Sequence, residues 1–209
     1  MILERITVGA LGTNCYIFGS KEQDTVIIDP GAQANKIIDV VEEFSGNPKA
    51  ILLTHGHFDH SSKVGKLKRH FNIPLMYSKK EYDSGIFTLK KADKWLKDGD
   101  IIQVGNFTLK VLETPGHSPG SLCFYSKDVE GYNGNDVGGV IFTGDLLFRR
   151  SVGRTDINGG SQNQLFTSIK KKLMENPEIT DNFAVFPGHM DPTTIGQERK
   201  LNMFRNYFS

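Results

Sequence analysis

Short runs of Val, Ile, Leu, Phe and Thr recur along the chain, and five of them close on a His or Asp set beside Gly or Pro. They are Val26-Ile27-Ile28-Asp29, Ile51-Leu52-Leu53-Thr54-His55, Val111 to His117, Val140 to Asp145, and Ala184 to His189. Runs of this length and composition, punctuated by Gly or Pro, predict strands, some of them buried on both faces. Each delivers its polar residue just past its C-terminal end. The five together predict one sheet rim on which those side chains converge.

Between the strands the apolar spacing turns helical. Ile37, Ile38, Val40, Val41 and Phe44 make one stripe over 34–44, and Leu165, Phe166, Ile169 and Leu173 make another over 161–174. Ser161 with Gln164, and Thr194 with Gln197, have capping-box spacing and predict helix starts, the last helix running over about 194–206. A further helix is predicted near 61–71. A weak internal repeat organises these elements. Gly12–Phe18 leads to the Asp29 strand end, a helix, the His55 strand end and a helix; Gly120–Tyr125 leads to Asp145, a helix, His189 and a helix. A polar insertion at 130–136 in the second copy reads as a loop. The expected fold is α/β, a four-layer αββα sandwich with its ligands at one rim, in a single domain over 1–209.

The densest chemical signal is Thr54-His55-Gly56-His57-Phe58-Asp59-His60. His55 and His57, two apart, can face one metal, and Asp59 and His60, on a tighter turn, a neighbouring one. Imidazole and carboxylate ligands suit zinc, iron or manganese. His117 and His189 each follow Pro and Gly after a strand, and Asp145 adds a carboxylate able to bridge two cations. Of the six histidines only His70 stands apart, among Lys66, Lys68 and Arg69, where it reads as a solvated surface residue. Asp29 reads as support for the ligands or for its own Asp-Pro-Gly turn. Arg149 and Arg150 read as a solvated loop, and Phe58 and Trp95 as core or pocket wall.

Composition narrows the frame. With 38% hydrophobic and 23% charged residues the bulk of the chain is globular rather than disordered. Its 25 basic residues against 24 acidic ones leave no global footprint for nucleic acid or an anionic membrane. No apolar run is long enough to span a bilayer. Met1-Ile2-Leu3-Glu4-Arg5 places charge where a signal peptide carries its apolar core, so a cytoplasmic location is expected. Cys15 and Cys123 lie inside apolar runs and are expected to be buried free thiols.

The heptad, followed in order by His117, Asp145 and His189, resembles the metallo-β-lactamase superfamily over nearly the whole chain. The resemblance implies that His55, His57 and His117 bind a first metal, Asp59, His60 and His189 a second, and that Asp145 bridges them. It implies two divalent ions, zinc foremost with iron or manganese also suited, and Asp59 as both ligand and catalytic base. His60 directly after Asp59 looks unlike the true β-lactamases. Thr143–Phe148, Gly153-Arg154-Thr155-Asp156 and Phe186–His189 with Pro192–Ile195 resemble the short bacterial glyoxalase II-like hydrolases. Their activity implies hydrolysis of a thioester such as an acyl-glutathione, a small anionic substrate, with Arg154 as a substrate contact. The longer glyoxalases carry a Lys and a Tyr where this chain has Arg154 and Asp156, and add a helical domain after the last ligand. The alternative is a persulfide dioxygenase using a single iron, which shares the fold and a similar Gly-Arg-Thr-Asp segment. A lactonase or a phosphodiesterase or nuclease of the same fold follows behind.

Overall fold

The alternation of side chains along the strands builds the layers. In the computed structural model, which describes residues 1–20, 24–157 and 159–208, two six-stranded sheets form. The first runs in the order β1 (Ile2–Val8), β2 (Thr13–Gly19), β3 (Asp24–Ile28), β4 (Asn47–Leu52), β5 (Leu75–Ser78), β6 (Lys94–Leu96). The second contains β7 (Ile101–Val104), β8 (Phe107–Glu113), β9 (Leu122–Ser126), β10 (Val140–Gly144), β11 (Ala184–Pro187) and β12 (Thr193–Thr194), in spatial order β12-β11-β10-β9-β8-β7. Tyr16, Phe18, Val26, Ile28 and Leu52 of the first sheet meet Val111, Phe124, Phe142 and Phe186 of the second in one buried core. Their immediate neighbours point the other way. Ile17, Ile27 and Ile51 pack against α1 (Ala34–Glu43) and α3 (Val64–Phe71), through Ile37, Val41 and Leu67. Cys123, Tyr125, Ile141 and Val185 pack against α5 (Gln162–Ser168) and α6 (Ile195–Leu201), through Leu165 and Ile195. With period-two side chains, strands filled on both faces require helices outside both sheets. The αββα sandwich follows.

The internal repeat is visible in the topology. β2 and β3 pair antiparallel and β3 with β4 parallel across α1; β9 and β10 pair antiparallel and β10 with β11 parallel across α5. All five ligand-bearing runs end at one edge. The sheets are stitched there by Leu122 N–H donating to Thr54 O at 2.7 Å and Asn14 N–H to Gly188 O at 2.7 Å.

Local differences from the sequence reading have plain causes. The helix expected near 61–71 is α3, and a separate single helical turn not expected from the sequence, α2 (Phe58–Ser61), precedes it and holds Asp59 and His60. α5 has its Ser161 N-cap, whose Oγ accepts from Gln164 N, and continues as a π-helical segment over Ile169–Met174. α6, capped by Thr194, stops at Leu201 rather than 206. There Asn202 turns extended and spends its side-chain amide on Ser151 O and Glu198. The segment 130–136 is not a plain loop but contains a hairpin, Gly131–Tyr132 against Asn135–Asp136. Asn133 and Gly134 both have positive φ (49° and 77°), the requirement of a type I′ turn. Cys15 and Cys123 are buried free thiols, as expected.

Candidate metal centre

Four of the histidines are oriented from behind. Asp29, at the end of β3 with φ 52°, accepts from Thr54 N at 2.8 Å and from Thr54 Oγ1 at 2.5 Å. Since Thr54 Oγ1 donates to that carboxylate, its contact of 3.1 Å with His55 Nδ1 makes the imidazole the donor. His60 Nδ1 meets Asp29 Oδ2 at 3.0 Å, His117 Nδ1 meets Arg154 O at 2.7 Å, and His189 Nδ1 meets Leu11 O at 3.2 Å. In each case the outer nitrogen has a good acceptor, which in the neutral ring fixes the tautomer and leaves Nε2 a bare lone pair facing inward.

The inner nitrogens crowd together. His57 Nδ1 lies 2.9 Å from His117 Nε2, and His60 Nε2 lies 3.4 Å from His189 Nε2. Asp145 reaches toward both groups, its Oδ1 3.3 Å from His60 and its Oδ2 3.6 Å from His117 and 3.4 Å from His189. Asp59 Oδ2 lies 3.3 Å from His189 and accepts from Thr13 Oγ1 at 2.8 Å. Two sets, His55/His57/His117 and Asp59/His60/His189, each bring one candidate ligand atom per residue within 4.8 Å of the others. Asp29, His55 and His60 meet the same criterion, but both of Asp29's oxygens are committed to Thr54 and His60. Its role is to orient, in line with the supporting role read from the sequence.

The chemistry of this donor set fits divalent cations. His55 Nε2, His57 Nε2 and Asp145 Oδ1 are buried with no hydrogen-bond partner, and lone pairs at such separations repel unless a cation or proton lies between them. Burial, then the charge of His60, pushes His55 well below its ordinary pKa; burial and then His117 bring His57 down to about 4. Both therefore sit neutral, as metal ligands must. Burial acts the same way on His60 and His189 but is outweighed. Asp145 and Asp29 raise His60, and Asp145 and Asp59 raise His189 to about 9. The carboxylates respond in kind. Against burial, His189, His60 and Thr13 hold Asp59 at about 2, and His60 and His189 hold Asp145 well below its usual range.

The rim needs glycine at two places. A Cβ on Gly144 would fall 2.4 Å from Thr54 Oγ1, and one on Gly188 would fall 2.2 Å from Asp145 Oδ1. Other sequence readings change. Phe58 is not core: it stands 75% exposed between His57 and Asp59, and Met190 is 54% exposed beside His189. Arg150 is no solvated loop residue, since its Nη1 pairs at 2.7 Å with the fully buried Glu198. Arg149 is exposed near Asp191, as expected. Arg154 lies at the centre through its carbonyl, while its guanidinium is exposed and held bidentate by Asp156 at 2.7 and 2.8 Å. His70 is a surface residue near Glu42.

An αββα sandwich with this His/Asp cluster on its rim defines a divalent-metal enzyme. The sequence signature of the metallo-β-lactamase superfamily matches residues 8–189, and the chain belongs to that superfamily. Among curated relatives, hydroxyacylglutathione hydrolase GloC of Haemophilus influenzae is 35% identical over 99% of both chains. The probable metallo-hydrolase YqgX of Bacillus subtilis is 36% identical over 98% of both. Among solved structures, the B3 metallo-β-lactamase BLEG-1 superposes with a TM-score of 0.85 at 36% identity, covering 98% of this chain and 99% of its own. ETHE1 from Myxococcus xanthus gives 0.81 at 27% identity over 100% and 88%, and TTHA1623 in a di-iron-bound form 0.79 at 33% over 96% and 99%. Among the described residues no helix is long and apolar enough to cross a membrane.

Proposed function

We propose that the protein is a binuclear metal hydrolase acting on a thioester whose thiol carrier is anionic, glyoxalase II-like in its chemistry. The observation that carries the reading is the pair of ligand sets with Asp145 reaching into both. His55, His57 and His117 would hold one cation, Asp59, His60 and His189 the other, and Asp145 would be shared. Two cations in such a site supply a hydroxide near neutral pH and polarise the scissile carbonyl. The chain's own residues do the rest. Asp59, held by Thr13, orients the attacking oxygen and accepts its proton; its low basicity favours the orienting part of that role. Arg154, whose own carbonyl anchors His117, offers the carrier a guanidinium fork. Likeness to GloC, named as a hydroxyacylglutathione hydrolase, supports the substrate class, and the di-iron form of TTHA1623 supports two metals.

The competing reading is a persulfide dioxygenase with a single iron, and likeness to ETHE1 as well as to GloC does not separate glyoxalase II from other members of the superfamily. Metal analysis of purified protein, paired with thioester hydrolysis and oxygen uptake on a glutathione persulfide, separates them. The hydrolase reading expects close to two metals per chain, activity with redox-inert zinc and no oxygen uptake. One iron per chain, no activity with zinc and oxygen consumed on persulfide would overturn it.

A further inference from the structure

We propose that Glu81 is a positioning residue of the metal centre, setting the spacing between the His55–His57 loop and the His117 loop. The proposal rests on the metal reading above but on no particular substrate. Glu81 lies on α4 (Lys79–Asp83) and is fully buried. Its Oε2 accepts from Gly56 N at 2.8 Å, the residue between His55 and His57. Its Oε1 accepts from Ser118 Oγ at 2.6 Å and Gly120 N at 2.7 Å, just past His117. One carboxylate thereby spans the two loops that carry all three histidines of the first set.

The packing around it is shaped for this contact. A Cβ on Gly56 would fall 2.4 Å from Phe87 Cβ and 3.0 Å from Glu81 Oε2, and one on Gly120 would fall 2.6 Å from Glu81 N. Both loops present bare backbone to the carboxylate, and Ser118 is held in turn by Ser121 Oγ at 2.7 Å. Removing a carboxylate from water is costly, and these partners are neutral donors with no compensating cation among them. A group that only accepts is what three converging donors require; a Gln would turn an NH2 on one loop or the other. Loops left free to drift would pull His57 away from His117, which are 2.9 Å apart. Outer residues of this kind hold the ligands in metal-binding geometry.

The test is zinc affinity, measured by competition with a chromophoric chelator, together with the visible spectrum of the cobalt(II)-loaded protein. Glu81→Gln should weaken zinc binding by about 10- to 100-fold and alter the cobalt spectrum. Ser118→Ala, which removes one donor, should move both in the same direction by less. Glu198→Gln is the control: that carboxylate is equally buried and bonded to Arg150, Thr193 and Asn202, and to neither of the two loops that Glu81 joins. It should lower thermal stability while leaving zinc affinity and spectrum unchanged. Wild-type zinc affinity and cobalt spectrum in Glu81→Gln would overturn the proposal whatever its melting temperature; should that variant not fold, the same result in Ser118→Ala would do so. A wild-type protein that binds two zinc ions yet cleaves no thioester would end the substrate reading and leave the expected Glu81 effect intact.

Discussion

An imidazole ligates well when its second nitrogen is already committed, and the centre applies that rule ring by ring. Thr54, Asp29, Arg154 and Leu11 take the outer nitrogens of His55, His60, His117 and His189. Two of these acceptors are main-chain carbonyls, so their identity as Arg and Leu is incidental to that contact. Arg154 is then open to a second task with its side chain. Its guanidinium is exposed and tied to Asp156, an exposed partner that an anionic ligand can replace with little loss. Arg154→Ala should lower kcat/KM for an anionic thioester roughly tenfold while a small neutral ester of the same acyl group loses much less. Carbonyl anchoring of His117 survives the substitution, so metal content should hold. An equal loss on both substrates would make the residue structural.

At the scale of elements, what the sequence disclosed and what it hid have different causes. Strand ends were legible because both faces of these strands are buried and Gly or Pro marks each exit, so Asp29, His55, His117, Asp145 and His189 could be placed on one rim. Glu81 was not, because its donors lie 25 to 39 residues away and two are backbone N–H groups, which leave no trace in side-chain pattern. The 131–136 hairpin was missed although Asn133-Gly134 is a strong turn signal, since its strands are two residues each and lack alternation. The caps were legible, and one is directly testable. Ser161 Oγ receives Gln164 N–H at the start of α5, and Ser161 N–H donates to Gly116 O, beside His117. Ser161→Ala removes the first bond and keeps the second. It should cost about 1 kcal/mol in urea unfolding, with activity per folded molecule unchanged. A loss above about 2 kcal/mol would mean that the cap also supports the His117 turn.

For the whole molecule the consequence of the two-sheet build is that neither sheet owns a metal set. His55, His57, Asp59 and His60 follow β4 of the first sheet, while His117 follows β8 and His189 follows β11 of the second. Cations held there would tie the sheets together at one rim, across the core in which Phe18 and Phe142 meet at 5.5 Å. Loading then stabilises the folded state by mass action, about 2.7 kcal/mol per site when free metal exceeds the dissociation constant 100-fold. At 209 residues that corresponds to a melting temperature roughly 5–10 °C higher for a single site. The chelated protein should still fold, because the three buried apolar clusters include none of the candidate ligands. Scanning calorimetry with excess chelator and then with added zinc should give one cooperative transition each time, shifted upward by zinc. Equal melting temperatures would show that the rim residues do not bind zinc in the folded state. An upward shift that survives His57→Ala together with His189→Ala would place the stabilising ion elsewhere and detach the two-set assignment from the stability of the fold.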